Sequence, residues 1–248
     1  MHKKKIITYN TFNKRKEKWK KKLYQNKNIQ KLSKKLFIEA DKFHFHYLQT
    51  WKGETMIQTP DDILAFQEII YKTKPEVIIE IGIAWGGSML FYETLSRSSS
   101  IKRIIGIDLF IPKDLKKRIN LKSNKSKKIV LIEGSSLDNK IISRIKKITK
   151  NYKNFFIHLD SDHTTEHVLK ELMIYSKFLN SNNYIVVGDT VLANIPNQKH
   201  RPRKWTKKNN PMFALKEFLK INKSFQIDKT INFRQIFSNQ PSGYMRKK

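Results

Sequence analysis

Cysteine is absent from the 248 residues, which excludes disulfides, thiolate metal sites and cysteine nucleophiles and suits a reducing compartment. No run approaches the roughly 20 apolar residues of a membrane span, and the first 22 residues lack the apolar core of a secretory signal, so a cytoplasmic protein without a transmembrane segment is expected. Acidic side chains are few: 21 Asp and Glu against 51 Lys and Arg leave a formal charge of +30. Such a balance ordinarily points to nucleic acid or an anionic membrane surface. Glycine (8) and proline (7) are also scarce, while Lys, Asn and Ile abound, as A/T-rich codon usage would produce. Because the lysines are spread through every segment, codon usage is the better reading and the charge says little about partners.

What remains is enough for one substantial core. Hydrophobic residues at 39% and aromatics at 11% support a globular fold despite a charged fraction of 29% and a mean hydropathy of −0.59. The division expected is a Lys-rich arm and amphipathic helix over residues 1–50, then one domain over residues 51–248. Residues 1 to about 27 read as a mobile or loosely helical tail. From Asn28 to Leu48, Ile29, Leu32, Leu36, Phe37 and Ala40 recur at helical spacing, giving an apolar face that docks on the main domain or, alternatively, lies on a membrane surface.

Past Trp51 short β-branched or aromatic runs alternate with helical stretches. The runs at 76–82, 103–110, 128–133, 154–160 and 183–187 read as buried parallel strands. The stretches near 62–72, 87–97, 138–150, 164–179 and 211–221 read as helices. This alternation predicts a doubly wound α/β sheet with right-handed crossovers. FQIDKTI (225–231) and RQIFSN (234–239) offer two further strands with no helix between them, hence an antiparallel edge.

EIGIAWGGS (80–88) lies where a strand meets a helix. Gly82, Gly86 and Gly87 permit a tight turn and close approach of a ligand, and Ser88 opens the helix. The spacing is not G-x-G-x-x-G, and Glu80 suits a ligand with a positive amino group, such as the methionine part of S-adenosylmethionine; a structural glycine turn is the bland alternative. Asp108, at the next strand end and 26 positions after Gly82, suits ribose hydroxyls. Ser135 and Ser136 follow the third strand, where they face an adenine edge or simply form a turn. LDSDH (159–163) and VVGDT (186–190) bring Asp160, Asp162, His163 and Asp189 to one face. Converging carboxylates need a proton or cation between them, and an oxygen-ligated Mg²⁺ is the simplest remedy, while His163 suits a general base.

From Trp51 onward the chain resembles the cephalosporin hydroxylase family, which includes the rhamnosyl O-methyltransferases. The matching stretches are WKGETMIQTPDDILAFQEII, KPEVIIEIGIAWGGS, IIGIDLF, IEGSSLD, LDSDHTTEHVLKEL, YIVVGDT and NQPSGYMRKK. The resemblance implies a seven-stranded, Rossmann-like methyltransferase fold with an antiparallel C-terminal edge. It further implies that Glu80, Gly82 and Asp108 contact S-adenosylmethionine, that Asp160 and Asp189 hold magnesium, and that the acceptor is a sugar, glycolipid precursor or other small molecule. The family usually places a glutamate before the second aspartate; Gly188 stands there, so the ion is held more weakly, recruits Asp162, or has been lost. An RNA methyltransferase and a non-catalytic cofactor-binding protein of the same fold are the rival readings, and a homo-oligomer is compatible with either.

Three further signals are weaker. HTTEH (163–167) formally fits a zinc peptidase signature, but it follows a buried strand of a nucleotide-type sheet, and His167 reads as a helix residue near the sheet end. FHFHY (43–47) reads as a packing joint or, with Trp51 and Met56, a lid. The basic loop over 191–210 offers Arg201, Arg203, Lys204 and Trp205 to a phosphorylated or acidic sugar, or is a solvated loop.

Overall fold

In the computed structural model, which describes residues 7–197, 200 and 202–248, the Lys-rich arm is a regular helix from Tyr9. This α1 (Tyr9–Gln25) starts where the Thr8 side chain accepts the Thr11 N–H, and it buries no residue. Asn26 ends it and caps α2 (Lys27–Asp41). The apolar face expected to dock does so only in part. Phe37 is buried, whereas Leu32 and Leu36 are 54% and 55% exposed, because the side that meets the body carries Phe37 and Ser33, whose hydroxyl donates to the Ile236 carbonyl. A 3₁₀ turn (Phe45–Tyr47) leads to a hairpin of β1 (Thr50–Trp51) and β2 (Glu54–Thr55). Its two turn residues, Lys52 and Gly53, both have positive φ, the requirement of a tight hairpin. Thr59 and Pro60 then start α3 (Pro60–Thr73), with Asp61 and Asp62 in its first turn.

The apolar runs become the sheet. In chain order the remaining elements are β3 (Val77–Ile81), α4 (Gly87–Ser96), β4 (Arg103–Asp108), α5 (Lys113–Lys122), β5 (Ile129–Glu133) and α6 (Asn139–Thr149). They are followed by β6 (Phe155–Leu159), α7 (Thr165–Tyr175), β7 (Tyr184–Val187), α8 (Pro211–Ile221), β8 (Phe225–Ile227), α9 (Lys229–Asn232) and β9 (Tyr244–Lys247). The seven long-range strands lie in the order β5-β4-β3-β6-β7-β9-β8. The first five are parallel, and β9 runs antiparallel to both β7 and β8. Every residue of β3 and β6 is buried, as expected of strands covered on both faces. Alternate residues serve opposite layers. Ile78 and Phe156 pack with Phe66, Met89, Leu90 and Leu115 on one side, and Ile79 and Ile157 with Ile145, Leu172 and Phe218 on the other. The chain winds outward in both directions from β3 and β6, so the crevice at their C-terminal ends is where such a sheet binds ligands.

Two expectations change. Lys113–Lys122 is helical although only Leu115 and Ile119 of it are buried, a signal too sparse to register as a period. At the C-terminus, the short helix α9 follows β8 where no helix was expected, the partner of β8 is β9, and 234–239 is not a strand. The N–H groups of Ile236 and Phe237 donate to Asp61 Oδ2, each at 2.8 Å, and that of Asn239 donates to Asp62 Oδ2 at 2.7 Å. The first turn of α3 thus takes the hydrogen bonds a strand ladder would have used.

Candidate active site

β3 and β6 run side by side so that Glu80 and His158 are direct neighbours. Both are buried. Glu80 Oε2 accepts the Ser88 hydroxyl, and Oε1 lies 3.0 Å from His158 Nδ1. The other ring nitrogen, Nε2, is 3.9 Å from Asp160 Oδ2. Burial works to lower the His158 pKa, but the Glu80 hydrogen bond and the charges of Asp160 and Glu80 outweigh it and raise it. One residue beyond β6, Asp160 is pushed up to about 7, chiefly by burial and further by the charge of Asp189, against the pull of His158 and His163. Gln58 donates its amide to Asp160 Oδ2 at 3.0 Å and is itself held by Gln240 at 2.6 Å.

Asp189 follows β7 with φ at +51°, an uncommon setting for a residue other than glycine. Its Oδ2 lies 3.4 Å from His163 Nε2. Potential ligand atoms of Asp160, His163 and Asp189 lie within 4.8 Å of one another. Asp162, expected as a possible third carboxylate, is not in this group. Its Oδ1 accepts the N–H and hydroxyl of Thr164, which spends it at the entry to α7. His163 stands where Asp162 was expected. His163 and His167 diverge, the latter 3.1 Å from Glu171 Oε1, so HTTEH forms no zinc pair.

The loop after β3 is held by its neighbours. Asp108 Oδ2 accepts the N–H groups of Ile83 and Ala84 at 3.0 and 3.1 Å, so one of its oxygens supports the loop. Gly82, with φ at +86°, leaves no room for a Cβ, which would come within 2.2 Å of the Asp160 carbonyl oxygen. A Cβ at Gly86 would meet Ile119, and one at Gly87 the Thr55 carbonyl. Neighbouring chain therefore packs against all three glycines, and Gly82 also lines both cavities of the site. The Ser136 hydroxyl donates to buried Glu171 at 2.6 Å, Ser135 Oγ accepts the Leu137 N–H at 3.2 Å as a turn former, and both residues line the cavity beside Asp108.

Two cavities meet here. One, of about 420 Å³, is lined by Asp108, Leu109, Ser135, Asp162 and His167. The other, of about 370 Å³, is lined by Met56, Gln58, His163, Asp189 and Trp205. Gly82, Ala84 and Asp160 line both. Phe37, His46 and Tyr47 form part of the second cavity's wall, with His46 packed between Phe37 and Phe237, so FHFHY is a packing joint that also borders the cavity. Trp51 is elsewhere, against Phe91 and Thr94. In the basic loop, Trp205 meets His163 edge-on at 5.0 Å. Arg203, 3% exposed at its side chain, pairs with fully buried Asp41 at 3.3 Å and lies over Trp205. Its charge is cancelled inside the protein, contrary to the expectation that it faces an acidic sugar. Lys204 is exposed, and Arg201 lies outside the described residues.

The sequence model of the family described as Rhamnosyl O-methyltransferase/CmcI matches residues 43–248. The chain belongs to the rhamnosyl O-methyltransferase/CmcI family. The rhamnosyl O-methyltransferase of Mycobacterium tuberculosis is 26% identical over 149 residues, 59% of this chain and 59% of that protein. The Mycobacterium leprae protein of the same name is 29% identical over 149 residues, 59% of this chain and 62% of its own length. The chain thus spans less than two thirds of these relatives. A ligand-free CmcI structure superposes with a TM-score of 0.55 at 17% identity, covering 81% of this chain and 76% of that one. A CmcI structure with Mg and S-adenosylmethionine gives 0.53 at 16%, covering 82% and 77%. The fold is therefore that of CmcI, the methyltransferase sheet with its antiparallel edge. α1 and α2 lie before the matched segment. Within the rhamnosyl O-methyltransferase/CmcI pattern, Gly188 has a physical reason here: a Cβ on it would lie 2.3 Å from Asp160 Oδ1.

Sequence reading missed Gln58, His158 and Glu171. His158 did carry a signal, an ionisable residue in the middle of an otherwise apolar strand; Gln58 and Glu171 reach the site only through tertiary packing.

Proposed function

We propose that this chain is an S-adenosylmethionine-dependent O-methyltransferase whose acceptor is an uncharged hydroxyl, on a sugar or other small molecule, and that it works in the cytoplasm. The observation that carries the reading is the junction of the two cavities at Gly82, Ala84 and Asp160. A donor seated with its ribose toward Asp108 and its amino group toward Glu80 would present a methyl group to whatever occupies the other cavity. Displacement at that carbon mainly requires alignment and removal of one proton.

In this reading Asp160 and Asp189 hold a divalent ion, and the donor set fits one. Two carboxylate oxygens converge beside an imidazole, and the raised Asp160 pKa marks a place where a cation would relieve repulsion. When bound, the ion would lower the pKa of an acceptor hydroxyl. Gln58 and His158 orient Asp160, and Trp205 supplies a flat wall beside His163. His163 takes the hydroxyl proton on Nε2, the ring nitrogen that faces the cluster. The acceptor is read as uncharged because Arg203 is already neutralised by Asp41, leaving carboxylates to dominate the cavity. The names of the mycobacterial relatives and the ligands of the CmcI structures agree with this assignment.

Calorimetric titration with S-adenosylhomocysteine tests it. The wild type should bind, and Asp108→Asn, which keeps one oxygen for the loop, should bind about tenfold more weakly, or ~1.4 kcal/mol. Absence of wild-type binding would remove the assignment.

A further inference from the structure

We propose that α1 and α2 form a docking surface for an anionic lipid bilayer. Neither helix belongs to the segment matched by the family, and no residue of α1 lines either cavity of the site. α1 holds seven basic residues against Glu17 alone and buries none of its length. Tyr24 packs against Phe233 at 5.0 Å, but the other aromatics face out: Tyr9, Phe12 and Trp19 are 75%, 43% and 53% exposed, and Phe12 and Trp19 meet each other edge-on at 6.0 Å. A helix that keeps a lysine-rich face and displays aromatic rings beside it has the composition of one lying in a lipid interface.

The apolar surface continues past α1. Leu32 and Leu36 of α2, with Ile236 beside them at 45% exposure, line a groove of about 420 Å³. Trp19 and Leu23 line another of about 430 Å³ against Arg234. Both grooves border the same stretch, 234–236, so the exposed rings and aliphatic chains belong to one region. Charge selects the occupant. A second copy of this chain would bring an equally basic helix against α1 and be repelled, whereas anionic headgroups are attracted at about 1 kcal/mol per Lys or Arg near the surface. The aliphatic side chains decide between anionic partners: Leu32, Leu36 and Ile236 find no counterpart on a phosphate backbone but gain from the acyl boundary. α2 also carries Phe37 into the wall of the second cavity, so the docking element and the cavity share a helix.

The test uses the full chain and vesicles of phosphatidylcholine, with and without phosphatidylglycerol, in a sedimentation assay. Binding is expected only to the vesicles containing phosphatidylglycerol, falling as salt rises. In Phe12→Ser/Trp19→Ser, which leaves every charge in place, it should fall about tenfold. Both positions are exposed, and an unchanged melting temperature and S-adenosylhomocysteine titration would show that the fold and the cofactor site are intact. Failure of the wild type to bind, or equal binding by the double variant, would overturn the proposal. So would tighter binding to poly(U) that shows the same dependence on the two aromatics. The vesicle result stands or falls independently of the methyl-transfer reading.

Discussion

Asp160 and Gly188 share one small volume at the ends of β6 and β7. With the Cβ position of residue 188 only 2.3 Å from Asp160 Oδ1, even Gly188→Ala must move the carboxylate. Magnesium affinity measured by calorimetry is expected to drop about tenfold, while S-adenosylhomocysteine affinity, set on the far side of Gly82, changes less than about twofold. Unaltered magnesium binding would mean that Asp160 holds no ion. His163 separates two roles by the same measurements. As proton acceptor, His163→Ala should lower kcat by about 10² to 10⁴ with metal affinity kept. Loss of metal binding in that variant would make His163 a ligand, consistent with its 3.4 Å approach to Asp189.

At the scale of elements, the β1/β2 hairpin is tied to its neighbours by charge. Glu54 accepts from Arg118 and Lys122 of α5, and Lys52 pairs with Glu93 of α4 at 2.9 Å. Burial of Glu54 works to raise its pKa, but the hydrogen bonds and charges of Lys122 and Arg118 prevail and hold it below the usual carboxylate value. A lowered folded pKa makes this stabilisation complete above the unfolded value, about 4.3, and removes it as pH falls through the folded one. Glu54→Gln should therefore melt roughly 2–4 °C lower at pH 7, equivalent to about 1 kcal/mol, and the gap from wild type should close on acidification. A gap independent of pH would show that packing, not charge, holds the hairpin. Because Met56 and Gln58 follow β2 directly and line the second cavity, the clamp also sets part of that wall.

For the whole molecule, the +30 charge makes RNA the rival acceptor. The sheet's ligand crevice does not share that character. Among the described residues its ionisable groups include the carboxylates Glu80, Asp160 and Asp189, and the arginine that lines it, Arg203, is paired with Asp41. Incubation with methyl-labelled S-adenosylmethionine and fractionated cell extract should put label in a carbohydrate or small-molecule fraction that resists ribonuclease. Label lost on ribonuclease treatment would make RNA the acceptor. Among the described residues, no helix is long and apolar enough to cross a membrane, so the membrane contact inferred for α1 and α2 is with a surface.

The sheet was legible in the sequence because each buried strand is a nearly pure Val, Ile or Phe run, and desolvation of such runs leaves little choice of partner. Its ends were legible too: Asp108, Asp160 and Asp189 are polar residues at or just past the ends of those runs, and Glu80 is the one charged residue inside β3. Tertiary structure alone decided what these ends do to one another. It gave Asp160 its neighbours Gln58 and His158, put His163 where Asp162 was expected, and spent Ser136 on Glu171. It likewise made 234–239 a segment held by Asp61 and Asp62, when its β-prone residues favoured a strand. Apart from the His158–Asp160 approach along one strand end, these rest on contacts between residues tens of positions or more apart, or on which way a short side chain turns within a loop. Periodicity records only which residues leave water; which of them meet is set by how the layers close.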